Sequence, residues 1–187
     1  MNYFLSKRVY VFSALLCIFL LPYCASAHNL TLLIDEHYVK AESEISEDEA
    51  EDSSFVLKET SRFIETKLFD AFFDRGHIVS NEPMCHTASY ERLVAEAFMQ
   101  AVRVYSDYFL FVEIVYDDSS STNPKAVNLT DISSVSWQLK RIKDEKTVSK
   151  GKITSPGEMY KNIDAKGVAS FTMQLADTID KEMRNKR

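Results

Sequence analysis

The chain has 187 residues and a formal net charge of −6, with 45% hydrophobic residues and only three cysteines. That length and apolar content suit one globular domain with a real core. The acidic balance argues against nucleic acid or anionic lipid as a main partner, and the cysteine count excludes a disulfide-built scaffold.

Residues 1–27 read as a secretory signal peptide. Lys7 and Arg8 precede a mostly apolar run from Val9 to Tyr23, and Ala25-Ser26-Ala27 places small residues before a cut. Cleavage is expected before His28. A spanning helix needs roughly 20 apolar residues, and this run is shorter and contains Pro22. Cys24 is the rival signal, because an acylated cysteine would tether the protein to a membrane, but bulky Tyr23 stands where a lipoprotein carries a small residue. Removal of the leader takes two basic and no acidic residues, shifting the net charge from −6 to −8. Cys17 and Cys24 leave with it, so Cys85 remains alone and no internal disulfide can form. The expected location is periplasmic or secreted.

Residues 28–187 are then one domain. Leu30 to Ile34 reads as a first strand, after which the chain turns acidic. Seven of the twelve residues from Ala41 to Asp52 are Asp or Glu, expected as a solvated connection. A helix is expected from near Ser54 to Arg75, with Ile64, Leu68, Ala71 and Phe72 on one face and Gly76 at its stop. His77 to Ser80 follows as a short strand, broken by Asn81-Glu82-Pro83.

The organising stretch is Tyr90 to Asp118. Val94, Phe98, Ala101, Val102 and Tyr105 form a helical stripe, and Tyr108 to Tyr116 is an aromatic and β-branched run expected to be buried on both faces. Beyond a polar loop, Ser134 to Lys140 alternates, Asp144-Glu145-Lys146 turns, and Thr147 to Ile153 returns. This is a hairpin with one wet face. A last helix from about Ala165 to Arg184 carries Val168, Phe171, Leu175, Ile179 and Met183 on one stripe. The order β-α-β-α-β-β-β-α predicts an α/β (α+β) domain, a mixed sheet of about five strands with three helices.

Chemistry is sparse. Four histidines, His28, His37, His77 and His86, are scattered without ligand spacing. Cleavage before His28 would expose an amine and ring that together chelate copper, with His37, His77 or His86 as a second ligand. The proteins that use such a brace resemble β-sandwiches, so the expectation at His28 is a frayed terminus. Cys85-His86 precedes a helix start where a thiolate would be stabilised, yet neighbours in sequence rarely aim at one reacting atom, and a structural thiol is expected. Ser149 and Lys152 match S-x-x-K by spacing but sit in a strand. Glu113, Asp117 and Asp118 put acids near the end of the central strand. The expectation is no catalytic residue, no cofactor and no metal.

Phe72 to Asn81 (FFDRGHIVSN), Ser106 to Asp118 (SDYFLFVEIVYDD) and Val135 to Ile153 (VSWQLKRIKDEKTVSKGKI), closed by a helix, resemble a bacterial envelope group. It comprises the TolB N-terminal domain, the CsgG-type curli secretion protein and the LpoB-type activators of penicillin-binding proteins. The resemblance implies a non-catalytic periplasmic adaptor in envelope assembly, akin to a peptidoglycan synthase activator or a secretion or motility accessory. The envelope partner is expected at the exposed edge of the hairpin, where proline at Val148 should block strand addition. The alternative is a metal- or thiol-dependent periplasmic enzyme using His28 or Cys85.

Overall fold

The computed structural model describes residues 27–38, 58–82, 90–117 and 125–185. Residues 1–26 of the leader, the acidic 41–52 stretch, Cys85, His86 and Asp118 lie outside them. The elements run β1 (Asn29–Tyr38), α1 (Glu59–Asp74), β2 (Ile78–Asn81), α2 (Tyr90–Arg103), β3 (Tyr108–Tyr116), β4 (Ile132–Arg141), β5 (Thr147–Thr154), a short α3 (Pro156–Met159) and α4 (Ala165–Asn185). They form one α/β domain around a five-stranded mixed sheet of order β2-β1-β3-β4-β5. β1 pairs in parallel with β2 and β3, while β3-β4 and β4-β5 are antiparallel.

The order explains the layers. The chain leaves β1 for β2 on one side and then crosses back to β3 on the other. Right-handed crossovers in opposite directions place their helices on opposite faces. On one face Leu30, Leu32, Ile34, Leu110, Val112, Ile114, Val135 and Leu139 pack with Phe72 of α1 and Phe171 and Ile179 of α4. Full burial of each such side chain contributes about 1.5–3 kcal/mol. On the other face Leu33, Phe109 and Phe111 pack under Ala97 and Ala101 of α2. β3 is thus covered on both sides over most of its length, as its aromatic and β-branched run, interrupted only by Glu113, requires.

Several expectations shift. β1 continues past Ile34 to Tyr38, and Asp35 and Glu36 are buried, because β1 is the second strand of the sheet and pairs with β3 through Tyr38↔Tyr116. Val102 and Tyr105 leave the α2 stripe: the helix ends at Arg103, and Tyr105 turns at φ 57° and is 85% exposed. Val148 is buried at a bulge opposite Leu139 and Lys140, so proline there would break the core as well as any edge. Among the described residues no helix is long and apolar enough to cross a membrane.

Candidate functional site

In a sheet whose connections reverse direction, a crevice opens at the carboxyl ends of the strands flanking the reversal. Here those strands are β1 and β3, and the residues at their ends are polar although the sheet around them is not.

One register row crosses four strands on the α2 face: Asp35, Glu113, Ser136 and Lys152 are successive partners. His37, two residues along β1, shares that face, and its Nε2 lies 2.7 Å from Asp35 Oδ2 and 3.8 Å from Glu113 Oε1. Asp35 is 1% exposed, and its Oδ1 accepts from the Glu36 N–H at 3.0 Å. Ser136 Oγ–H donates to Glu113 Oε2 at 2.8 Å. A serine nucleophile needs a base aimed at its hydroxyl and donors for the oxyanion. Ser136 instead sits mid-strand with its hydroxyl given to a carboxylate. The row is suited to holding cationic or hydrogen-bonding groups.

On the opposite face a second cluster closes the same end. The buried Glu36 carboxylate accepts from Tyr38 Oη at 2.5 Å and from the Lys58 N–H at 3.2 Å. Lys58 precedes α1 and offers no side-chain cap, so Glu36 supplies an acceptor to that helix start from another element. Lys58 Nζ lies 4.3 Å from the Tyr116 ring centroid, and Tyr116 Oη shares a 2.8 Å hydrogen bond with Ser61 Oγ. Burial is the main cause that pushes both tyrosine hydroxyls well above their ordinary pKa; at Tyr38 the hydrogen bond to Glu36 adds to it. No sequence signal marked this cluster, since Glu36 and Lys58 belong to no motif and lie 22 residues apart.

A third grouping lies at the opposite end of β1. His77, with its side chain fully buried, shares a 2.8 Å hydrogen bond from Nε2 to Asp180 Oδ1, and Asp180 Oδ2 accepts from Arg184 Nε at 2.8 Å. Burial opposes ionisation of Asp180, but the hydrogen bonds from Arg184 and His77 outweigh it and hold its pKa below the usual range. His77 Nδ1 accepts from the His28 backbone N–H at 3.3 Å. The two imidazoles stack with centroids 5.7 Å apart and planes 14° apart. His28 is therefore not frayed. Its carbonyl accepts from Ile78 N–H at 3.0 Å, its ring packs edge-on to Tyr108 at 5.1 Å, and its Nδ1 lies 3.8 Å from Asp107 Oδ2.

The structure thus joins His28 with His77 and His37 with Glu113, and keeps the two pairs at opposite ends of β1. Ser149 and Lys152 point to opposite faces of β5, pairing with Leu139 and Ser136, so their spacing makes no site. Asp117 is exposed just beyond β3.

At the edge of the sheet, β5 pairs with β4 alone among the described residues. Ser155 N–H bonds Ser133 O at 2.8 Å. Antiparallel alternation then turns Ile153 and Gly151 toward β4, and directs the backbone N–H and C=O of Lys150, Lys152 and Thr154 outward. The stretch 139–153 holds six basic and two acidic residues within an acidic chain.

These features define a single-domain, doubly wound α/β protein with a polar crevice at one end of the β1/β3 pair and an open, basic edge strand. A family described as "Uncharacterised protein" matches residues 41–185, and the chain belongs to it. No curated protein matches the sequence. Among solved structures it is similar to the PelC dodecamer from Paraburkholderia phytofirmans (11% identity, TM-score 0.39, covering 87% of this chain and 93% of that one). It is also similar to TolB from Acinetobacter baumannii (11%, TM-score 0.39, 85% and 29%). A third is the LpoB C-terminal domain from Salmonella enterica (13%, TM-score 0.29, 70% and 84%). TolB and LpoB are two of the groups the sequence resembles; nothing points specifically to the CsgG type. At these scores the likenesses carry no argument about function.

Proposed function

We propose that this protein is a non-catalytic accessory of the bacterial cell envelope, exported by its leader, which binds another envelope protein through β5. The observation that carries the reading is the edge strand. Its outward N–H and C=O groups can accept a sixth strand, while Lys150 and Lys152 favour an extended segment with acidic side chains. Lysines on an edge also discourage pairing with a second copy of the same strand, leaving the edge selective for a partner of opposite charge.

The test is crosslinked capture from the envelope fraction with a photo-reactive residue at Thr154, comparing the unmodified protein with Lys152→Pro. Residue 152 directs its N–H away from β4, so proline there removes a docking donor without a ladder bond, as edge positions tolerate. Capture of one defined envelope protein, lost in a Lys152→Pro variant with unchanged melting temperature, supports strand addition. Undiminished capture by that folded variant refutes it.

A further inference from the structure

We propose that removal of the leader turns the start of β1 into a binding site for a first-row transition metal, with Cu(II) its tightest ligand, held by the His28 α-amine, His28 Nδ1 and His77 Nδ1. The inference rests on the leader reading above and is otherwise independent of the β5 edge.

The geometry begins with His77. Its Nε2 is engaged with Asp180, so the proton is held there and the Nδ1 lone pair is free to accept; it faces the His28 nitrogen at 3.3 Å. In the uncleaved chain that nitrogen is an amide, whose lone pair is delocalised and does not bind a metal. Hydrolysis of the Ala27–His28 bond by a processing peptidase adds the elements of water: the hydroxyl goes to the Ala27 carbonyl carbon and the hydrogen to the His28 nitrogen. The product is a primary amine at the same place. Two nitrogens bonded to one metal at about 2.0–2.1 Å stand about 3.3 Å apart at a near-tetrahedral angle, and about 2.9 Å apart at the right angle of a tetragonal Cu(II) site. The observed 3.3 Å therefore has to close by a few tenths of an ångström for copper to bridge the two.

The third donor is intrinsic to the residue. An N-terminal histidine closes a six-membered ring through its own amine and Nδ1, and its imidazole already lies beside that of His77. The surroundings favour a cation. Asp107 Oδ2 is 3.8 Å from His28 Nδ1. Asp180 backs His77 in the carboxylate–histidine arrangement that fixes the tautomer of metal-bound imidazoles and raises their basicity. Arg184, whose Nε–H is shared between Asp180 Oδ2 at 2.8 Å and Oδ1 at 3.0 Å, holds Asp180 in place. The position is also pre-organised, because the Ile78–His28 backbone hydrogen bond fixes the strand start that carries the amine. An all-nitrogen set of amine and imidazoles suits Cu(II) first in the divalent series. Loading releases the ammonium proton and bound waters, and no electron moves.

The experiment uses the full chain, exported and matured, with Cu(II) as the only probe. Intact mass reads the first residue, chelator competition reads affinity, and electron paramagnetic resonance counts coordinated nitrogens. The expected result is a chain starting at His28 that binds one Cu(II) through three nitrogens. A chain retaining Ala27 keeps every side chain and loses the site. Asp180→Asn weakens binding about 10–100-fold, and His77→Gln weakens it further. A mature chain that starts elsewhere overturns the proposal, as does equal affinity when Ala27 is retained. Unchanged affinity in folded His77→Gln also overturns it, since the copper would then sit on a terminal chelate alone. If the start residue is His28 and copper fails to bind, the site is refuted while the leader reading stands.

Discussion

Gly167→Ala sets two effects of opposite sign against each other. Gly167 lies in the first turn of α4, and helix propensity alone favours alanine by up to about 1 kcal/mol. A Cβ on Gly167, however, would stand 1.7 Å from the backbone oxygen of Asn162 and 2.5 Å from its carbonyl carbon. That strand of backbone cannot yield freely. Ile163 O accepts from Leu129 N–H at 2.8 Å, and Asp164 Oδ1 caps Lys166 and Gly167 N–H at 3.1 and 3.3 Å. Shifting Asn162 far enough to clear the methyl strains both. Loss of the cap costs about 0.5–2 kcal/mol, and leaving the Leu129 N–H beside its fully buried side chain unpaired costs about 1–3 kcal/mol. Net of the propensity gain, the substitution should destabilise by about 0.5–4 kcal/mol. For a domain of 150–250 residues this lowers the melting temperature by roughly 1–16 °C. Thermal unfolding followed by circular dichroism reads it. A melting temperature that rises would show that the 162–164 loop moves at no cost, and the packing argument would fall.

Tyr38 and Tyr116 should remain protonated in the folded protein beyond the pH at which exposed tyrosines ionise. Because folding raises both values, their contribution is complete below about pH 10 and is lost as pH rises above it. Ultraviolet titration should show these two phenolates appearing together with unfolding, and a smooth ionisation in the folded state would contradict their burial. Tyr116→Phe leaves Ser61 Oγ without that partner in the core and should cost about 1–3 kcal/mol in a denaturant melt; a cost near zero would mean the hydroxyl pair is no part of the stability. Asp144, hydrogen-bonded by Arg141 through Nε at 2.9 Å, is held down to about 2. Its effect is present above the ordinary aspartate pKa of about 3.9 and is lost as pH falls through the lowered value. Nuclear magnetic resonance titration of its carboxyl carbon should show Arg141→Gln returning it toward that ordinary value, and an unchanged midpoint would remove Arg141 as the cause.

Periodicity along the chain was sufficient for the elements. β3 appears at Tyr108–Tyr116, where its aromatic run placed it, and α4 spans the stripe from Val168 to Met183. The hairpin's wet face followed from the alternation of Ser136 and Gln138 with Trp137 and Leu139. What periodicity mistook were residues at element ends. The first strand is expected to end at Ile34, where the chain turns acidic, yet Asp35 and Glu36 lie inside β1. Their burial depends on β3 alongside and on Lys58, which is 22 residues further on. The edge character of β5 was anticipated, but the inward set of Val148 came from a bulge that alternation does not predict.

The sequence by itself determined the types, order and apolar faces of the strands and helices, because those depend on spacings of two to four residues along the chain. Only the tertiary structure decided the strand order and the burial of the acids at the end of β1. It alone brought His28 to His77, 49 positions away, and His77 to Asp180, 103 positions away. The physical reason is that a hydrogen bond or a shared ligand requires atoms about 3 Å apart. That distance is set by which strands pair and which helices cover them, and no local pattern carries it.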